Sequence, residues 1–217
     1  MTIEGLKLKI LKFRRKLFAK QRKKQLKNQD FTIISNNCWG GMVYESFGLP
    51  KLTPTAGAFF VAPDFVKFCS DIPAYTSAEL TFISPNESKY QDFIKRTFPN
   101  GIQFPIAKIK DIEVFFMHYP DANVAKETWE RRCKRINYDK LIIKFNDQND
   151  CTEEDVRAFL SLPFKNKYFF TCKFKEIEDP SVIHIKQLSK HYQLMTSNEP
   201  FGRHNKYLNI TDVINSL

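Results

Sequence analysis

Thr32-Ile33-Ile34-Ser35-Asn36-Asn37-Cys38-Trp39-Gly40-Gly41 is a β-branched run that breaks into a polar, glycine-tipped turn ahead of a helix. Thr32, Ile33 and Ile34 favour a pleated, buried position. Asn36 and Asn37 tolerate left-handed backbone angles, and Gly40-Gly41 admits close approach of backbone N–H groups. The stretch therefore reads as the end of a strand in an open α/β sheet, where ligands bind at the carboxyl ends of the strands. A thiol, two carboxamides and backbone amides within a few residues could hold an acyl or phosphate oxygen. Packing offers the other reading, a turn with Cys38 buried and Trp39 in the core.

Outward from this turn, strand-like and helix-like segments alternate. Residues 58–61 are short and apolar, and Pro63-Asp64 predicts a helix towards residue 71. Residues 79–84 read as a strand, and Ser88 opens a helix through 98. The extended runs 106–109 and 113–117, split by Lys110-Asp111, fit a hairpin or two sequential strands. A helix is predicted over 123–136, strands over 140–145, 168–172 and 182–185, a helix capped by Thr152, and a closing helix over 209–217. Strands separated by helices imply right-handed crossovers and a mostly parallel sheet with flanking helices. The body, residues 30–217, forms one α/β domain or two small α/β lobes with a break near 99–101, where turn residues cluster.

The net charge of +10 is concentrated at one end. Residues 1–30 hold eleven Lys and Arg against Glu4 and Asp30, which leaves +1 for the rest of the chain. Ile3, Leu6, Ile10, Phe13 and Leu17 recur at helical spacing, so residues 1–29 read as a basic amphipathic helical leader. Such a helix suits an anionic membrane surface, contacted through residues 1–27. The alternative is a solvated helix with its stripe packed on the body. Nucleic acid is not the expected partner, because the leader interleaves no aromatics beyond Phe13 and Phe18, the body carries no basic excess and no recognition motif is present. No apolar run approaches the roughly 18 residues that span a bilayer, and a signal-peptide core is absent. The expected location is cytoplasmic, peripheral at the inner face of the membrane.

With 42% hydrophobic residues and 21 Phe, the chain can build a sizeable core without staples. Its five cysteines form no C-x-x-C pair, which excludes a disulfide framework and a zinc ribbon, and no metal is expected. Residues 115–118 run as a strand into His118, a candidate general base or the partner that activates Cys38. Asp121 fits a helix N-cap. Arg131, Arg132, Lys134 and Arg135 place four cations on one helix, a solvated face or a phosphate site in which Arg132 and Arg135 form bidentate contacts. Asn146-Asp147 ends a buried strand in a carboxamide and a carboxylate that could bind sugar hydroxyls. Ser35, Asn36, Asn37, Gly40 and Gly41 complete the candidate substrate-binding set.

Several of these residues also carry a family likeness. Ser35 to Gly41, Phe47-Gly48-Leu49-Pro50, Thr53-Pro54-Thr55, Tyr119-Pro120 ahead of a helix with Trp129 and Arg132, Asn146-Asp147 with Cys151-Thr152, and the run 162–167 resemble a bacterial family of unknown function placed among exopolysaccharide and capsule biosynthesis proteins. The likeness runs from about residue 30 to the C-terminus and favours Arg132 within the cationic cluster. A more distant similarity, to capsule-locus acetyltransferases with an Asn-Cys motif after their first strand, implies acyl transfer to a surface-polysaccharide precursor, with acyl-coenzyme A as donor. In that reading Cys38 and His118 are catalytic. The alternatives are a non-catalytic binding or scaffold protein of a polysaccharide assembly complex, and glycosyl transfer. The chain contains no G-x-G-x-x-G, Walker sequence, G-x-S-x-G elbow or D-x-D clamp.

Overall fold

The computed structural model describes residues 3–195 and 207–217. Its main sheet has four strands in the order β1 (Thr32–Ser35), β5 (Leu141–Asn146), β6 (Lys167–Thr171) and β7 (Val182–His184), each pair parallel. A second, antiparallel sheet is formed by β2 (Thr81–Ile83), β3 (Ile106–Ile109) and β4 (Ile112–Phe115). Of the two arrangements open for residues 106–117, the hairpin is found, with Lys110 at φ 54° in its tight turn. Residues 58–61 contribute one antiparallel bridge, Phe59 to Phe115, rather than a strand.

The parallel sheet is covered on both faces, as its near-continuous apolar strands require. Ile34, Ile143, Phe145 and Phe169 face one core, shared with Phe60, Phe65 and Phe68 around α4 (Ala62–Ser70), Phe159 of α8 (Glu153–Ser161), Trp129 of α7 (Ala122–Cys133) and the second sheet. Phe145 lies at its centre, with ring centroids 5.4 Å from Phe65, 5.2 Å from Phe159 and 5.3 Å from Phe169. The alternate residues Ile33, Ile142 and Phe170 face the opposite core, closed by α3 (Trp39–Phe47) and α9 (Ile210–Asn215). This is the period-2 alternation of a strand buried on both sides.

The leader forms two helices, α1 (Ile3–Leu17) and α2 (Ala19–Lys23). On α1, Leu6, Ile10, Phe13 and Leu17 are 46%, 50%, 66% and 60% exposed, so these residues of the stripe do not pack on the body. Residues just after α2 do belong to the body. Leu26 is buried beside α9, Lys27 N–H donates to Asn215 Oδ1 at 2.7 Å, and Asn215 Nδ2 donates to the Gln25 carbonyl at 2.9 Å.

Candidate active site

The turn after β1 is held by its own side chains. Ser35 Oγ donates to the Asn37 carbonyl at 2.7 Å and accepts from Gly40 N–H at 3.1 Å. Asn37 Oδ1 accepts from Trp39 N–H at 3.1 Å. The Trp39 and Gly40 amides, at the start of α3, are thus satisfied inside the turn. Gly40 serves packing instead: a Cβ there would lie 2.9 Å from Ser35 Oγ and 3.1 Å from Ile33 Cγ2.

The carboxyl ends of β1 and β5 are joined by a buried polar layer. Asn36 Nδ2 donates to Asn146 Oδ1 at 2.8 Å, and Asn146 Nδ2 to the Leu194 carbonyl at 3.1 Å. Asn37 Nδ2 donates to Gln148 Oε1 at 3.3 Å. Asn36 Oδ1 is buried with no hydrogen-bond partner among the described residues. Lys144, fully buried, donates from Nζ to Asn37 Oδ1 at 3.3 Å and lies 5.9 Å and 5.5 Å from the ring centroids of Trp39 and Phe170. A lysine inside the otherwise apolar run Leu141-Ile142-Ile143-Lys144-Phe145 was the sequence signal for this layer, and the pattern reading passed over it.

Asp147 is a correction to the sequence reading. Its Oδ2 accepts from Thr171 Oγ1 at 2.8 Å, Cys172 N–H at 2.7 Å and Lys173 N–H at 3.1 Å, and Oδ1 accepts from Leu194 N–H at 2.6 Å. A carboxylate so occupied ties the ends of β5 and β6 to residue 194 and has little capacity left for sugar hydroxyls. Asn36, Asn37 and Asn146 are likewise committed to the polar layer.

On the open side of the turn, Cys38 is the half-exposed N-cap of α3. It lies within electrostatic reach of Tyr119, whose hydroxyl donates to the Ala56 carbonyl at 2.8 Å and accepts from Arg132 Nη1 at 2.6 Å. Arg132 Nη1 also donates to Ala56 O at 2.7 Å. Burial holds the Tyr119 phenol above its ordinary pKa against the pull of Arg132, so it remains a neutral donor. The loop carrying Ala56 is fixed by Gly57, at φ 88°, where a Cβ would meet Tyr119 Cε2 at 3.0 Å. The Gly57 carbonyl accepts from His118 N–H at 3.1 Å. The His118 side chain is exposed, and desolvation of the ring followed by the charge of Lys51 lowers its pKa, leaving the imidazole neutral at neutral pH. Lys51 pairs with Glu45 of α3 at 3.2 Å.

Loop 51–57 thus gathers Cys38, Lys51, Tyr119 and Arg132 around it, with His118 at its edge. Arg132 joins the cluster, whereas Arg135 is exposed and its backbone N–H caps the end of α7 on the Arg132 carbonyl at 3.0 Å. The sequence reading missed Lys51, which carries no local signature, and used Tyr119 only as a point of likeness. Burial raises the pKa of the other four thiols, Cys133 and Cys172 to about 12. Among the described residues, no group of three His, Cys, Asp or Glu side chains could hold a metal ion.

Two comparisons bear on this cluster. The model of a family described as "Domain of unknown function (DUF1919)" matches residues 9–217, which includes every residue of the cluster. A protein of Haemophilus influenzae called "Uncharacterized protein" is 33% identical over 150 residues, 69% of this chain and 66% of that protein's own length.

Proposed function

We propose, from the premise that the chain belongs to the family described as domain of unknown function DUF1919, that it is a thiol-dependent acyltransferase acting on a surface-polysaccharide precursor at an anionic membrane. One observation carries the chemical part. Of five thiols, Cys38 alone caps a nine-residue helix at its N-terminus, beside the Tyr119–Arg132 pair. The positive end of a helix favours the thiolate, and the thiolate is the nucleophile.

In this reading the Cys38 thiolate attacks the carbonyl carbon of an acyl thioester such as acyl-coenzyme A, and the thioester's own sulfur leaves. The oxyanion falls to Arg132, whose Nη1 alone of its guanidinium nitrogens is engaged among the described residues. Neutral His118 then takes the proton of the acceptor hydroxyl as its oxygen attacks the acyl-enzyme, and the thiolate is released. The two asparagines first assigned to the oxyanion are given no part in this reading, since each spends an amide N–H on the buried polar layer, on Asn146 and on Gln148.

The membrane part rests on α1. Four apolar side chains of one helix face are exposed, and Lys9, Lys12 and Lys16 are exposed on the same helix. Among the described residues no helix is long and apolar enough to cross a membrane. An interfacial helix binds by apolar insertion together with attraction to anionic headgroups, and α1 offers both.

Alkylation followed by peptide mass spectrometry tests the chemistry. Cys38 should react at neutral pH well ahead of the four thiols whose pKa burial raises, incubation with acetyl-coenzyme A should leave an acetyl adduct on Cys38, and His118→Ala should slow transfer to a sugar hydroxyl by roughly 10²–10⁴-fold. A Cys38 inert until the protein unfolds, with no adduct, would overturn the proposal and leave the scaffold reading.

A further inference from the structure

Cys38 lies on the face of α3 that the leader packs against. From the N-cap onward the half-exposed residues are Cys38, Met42 and Glu45, at i, i+4 and i+7, whereas Trp39, Val43, Tyr44, Ser46 and Phe47 are buried. Arg15 of α1 reaches this stripe: Nη1 donates to Met42 Sδ at 3.5 Å, and Nε lies 3.7 Å from Glu45 Oε2. At the far end of α3, a Cβ on Gly48 would sit 3.5 Å from Ala19 Cβ. Cys38, one turn or about 6 Å before Met42, stays half-exposed. Glu45 also pairs with Lys51 through Oε1 at 3.2 Å, so one carboxylate fastens both the leader and the site loop 51–57.

The exposed apolar stripe of α1 points the other way. Leu6, Ile10, Phe13 and Leu17 each stand about 140–180° round the helix from Arg15, at 3.6 residues per turn. Insertion of those side chains among lipid head groups puts α1 between the bilayer and α3, and it turns the Cys38 face of α3 towards the lipid. The separation is then the thickness of one helix, about 10 Å. A saccharide head group standing out of the bilayer covers that distance.

We infer that the acceptor reaches Cys38 from the bilayer, as a saccharide carried on a lipid anchor rather than as a soluble sugar. The inference rests on the transfer reading of Cys38 and adds to it the physical state of the acceptor and its direction of entry. A soluble acceptor gains nothing from a binding helix placed on the same face as the nucleophile. A lipid-borne one does, because enzyme and acceptor confined to one surface meet at a raised effective concentration. The Glu45 pairs with Arg15 and Lys51 then hold the site loop in a set relation to the helix that touches the membrane.

The test uses the full-length protein on phosphatidylglycerol vesicles and three thiol reagents, with Cys38 followed by peptide mass spectrometry. One is phosphatidylethanolamine with a maleimide directly on its head-group amine, the second carries the maleimide on a long polyethylene glycol spacer, and the third is N-ethylmaleimide in solution. In the wild type both lipid reagents should modify Cys38, at comparable rates. Phe13→Glu combined with Leu17→Glu should slow both at least about tenfold, since two negative charges added at an anionic surface change the affinity by that order. N-ethylmaleimide should modify Cys38 equally in the two proteins, which reports an intact fold around the thiol. Modification by the spacer reagent alone means that Cys38 faces away from the lipid, and it overturns the inference. Undiminished head-group labelling in the double variant overturns it too, as does rapid acetylation of methyl α-glucoside in solution without vesicles. A Cys38 inert to N-ethylmaleimide is a different failure: it strikes the transfer reading itself, and the inference falls with it.

Discussion

Adjacent glycines in the Trp39-Gly40-Gly41 turn have different reasons to be there. At Gly40 a methyl group would stand 2.9 Å from the buried hydroxyl that caps its own amide. Gly40→Ala should therefore lower stability by about 1–3 kcal/mol in denaturant unfolding. At Gly41 the nearest atom would be Ala56 Cβ at 3.4 Å, an ordinary contact, and the change also removes a helix-interior glycine. Gly41→Ala should be neutral or stabilising by up to about 1 kcal/mol; equal losses in the two variants would reject this division of roles. His118 offers a second residue-level test. Its folded pKa is lowered, so the unfolded chain binds the proton more readily. Its stability contribution is complete above the ordinary imidazole value of about 6.5 and declines as pH falls through the folded pKa. Lys51→Met should move the NMR titration of His118 upward, yet leave it below 6.5, because partial desolvation of the ring is the larger cause. An unmoved titration would remove Lys51 from the site.

At the scale of elements, α8 shows how far local chemistry reaches. Thr152 Oγ1 accepts from Asp155 N–H at 3.2 Å, and Asp155 Oδ2 accepts from Thr152 N–H at 2.8 Å, a reciprocal capping box. The acidic residues Glu153, Glu154 and Asp155 stand where the helix dipole favours them. Thr152→Ala should cost about 1 kcal/mol by thermal or urea unfolding. No loss at all would mean that packing of Val156 and Phe159 alone sets this helix. The same legibility extends to α4, α7, β5 and β6, whose predicted spans lie close to the observed ones. The two helices carry a proline or a cap at their start, and the two strands are short apolar runs. Residues 58–61 differ: they have the composition of a strand, but the partner they meet offers one bridge at Phe115. Pairing of that kind depends on what lies opposite, which the segment does not encode.

Over the whole molecule, the contrast between α1 and the segment after α2 revises how the leader should be removed. Deleting residues 1–27 would take Leu26 from the core beside α9 and break the bonds of Gln25 and Lys27 to Asn215. Phe13→Glu with Leu17→Glu, both on exposed residues, leaves those contacts intact. In cosedimentation with phosphatidylglycerol vesicles the wild type should bind, and raised salt should weaken it through screening. The double variant should bind far less, since it loses apolar insertion and adds two negative charges near the headgroups. Equal binding by the two proteins would reject the docking surface.

Sequence alone determined the strand at residues 32–35 with a polar turn and a helix to follow, the alternation of elements and the amphipathic leader. These follow from propensity, periodicity and capping over a few residues. That the helix already begins at Trp39, with Cys38 as its N-cap, came from the structure. Tertiary structure decided which polar residues stay open. Asn36, Asn37, Asn146 and Asp147 looked available in the sequence because chain ends of strands usually are. Once β1, β5 and β6 are in register, these side chains bond one another, Thr171 and the backbone near residue 194, and Asn36 Oδ1 is left without a hydrogen-bond partner among the described residues. Lys51, Tyr119 and Arg132, separated by up to 81 positions in the numbering, came to share one loop with Cys38. Burial and hydrogen-bond satisfaction are properties of pairs brought together by folding, so no single segment could announce them.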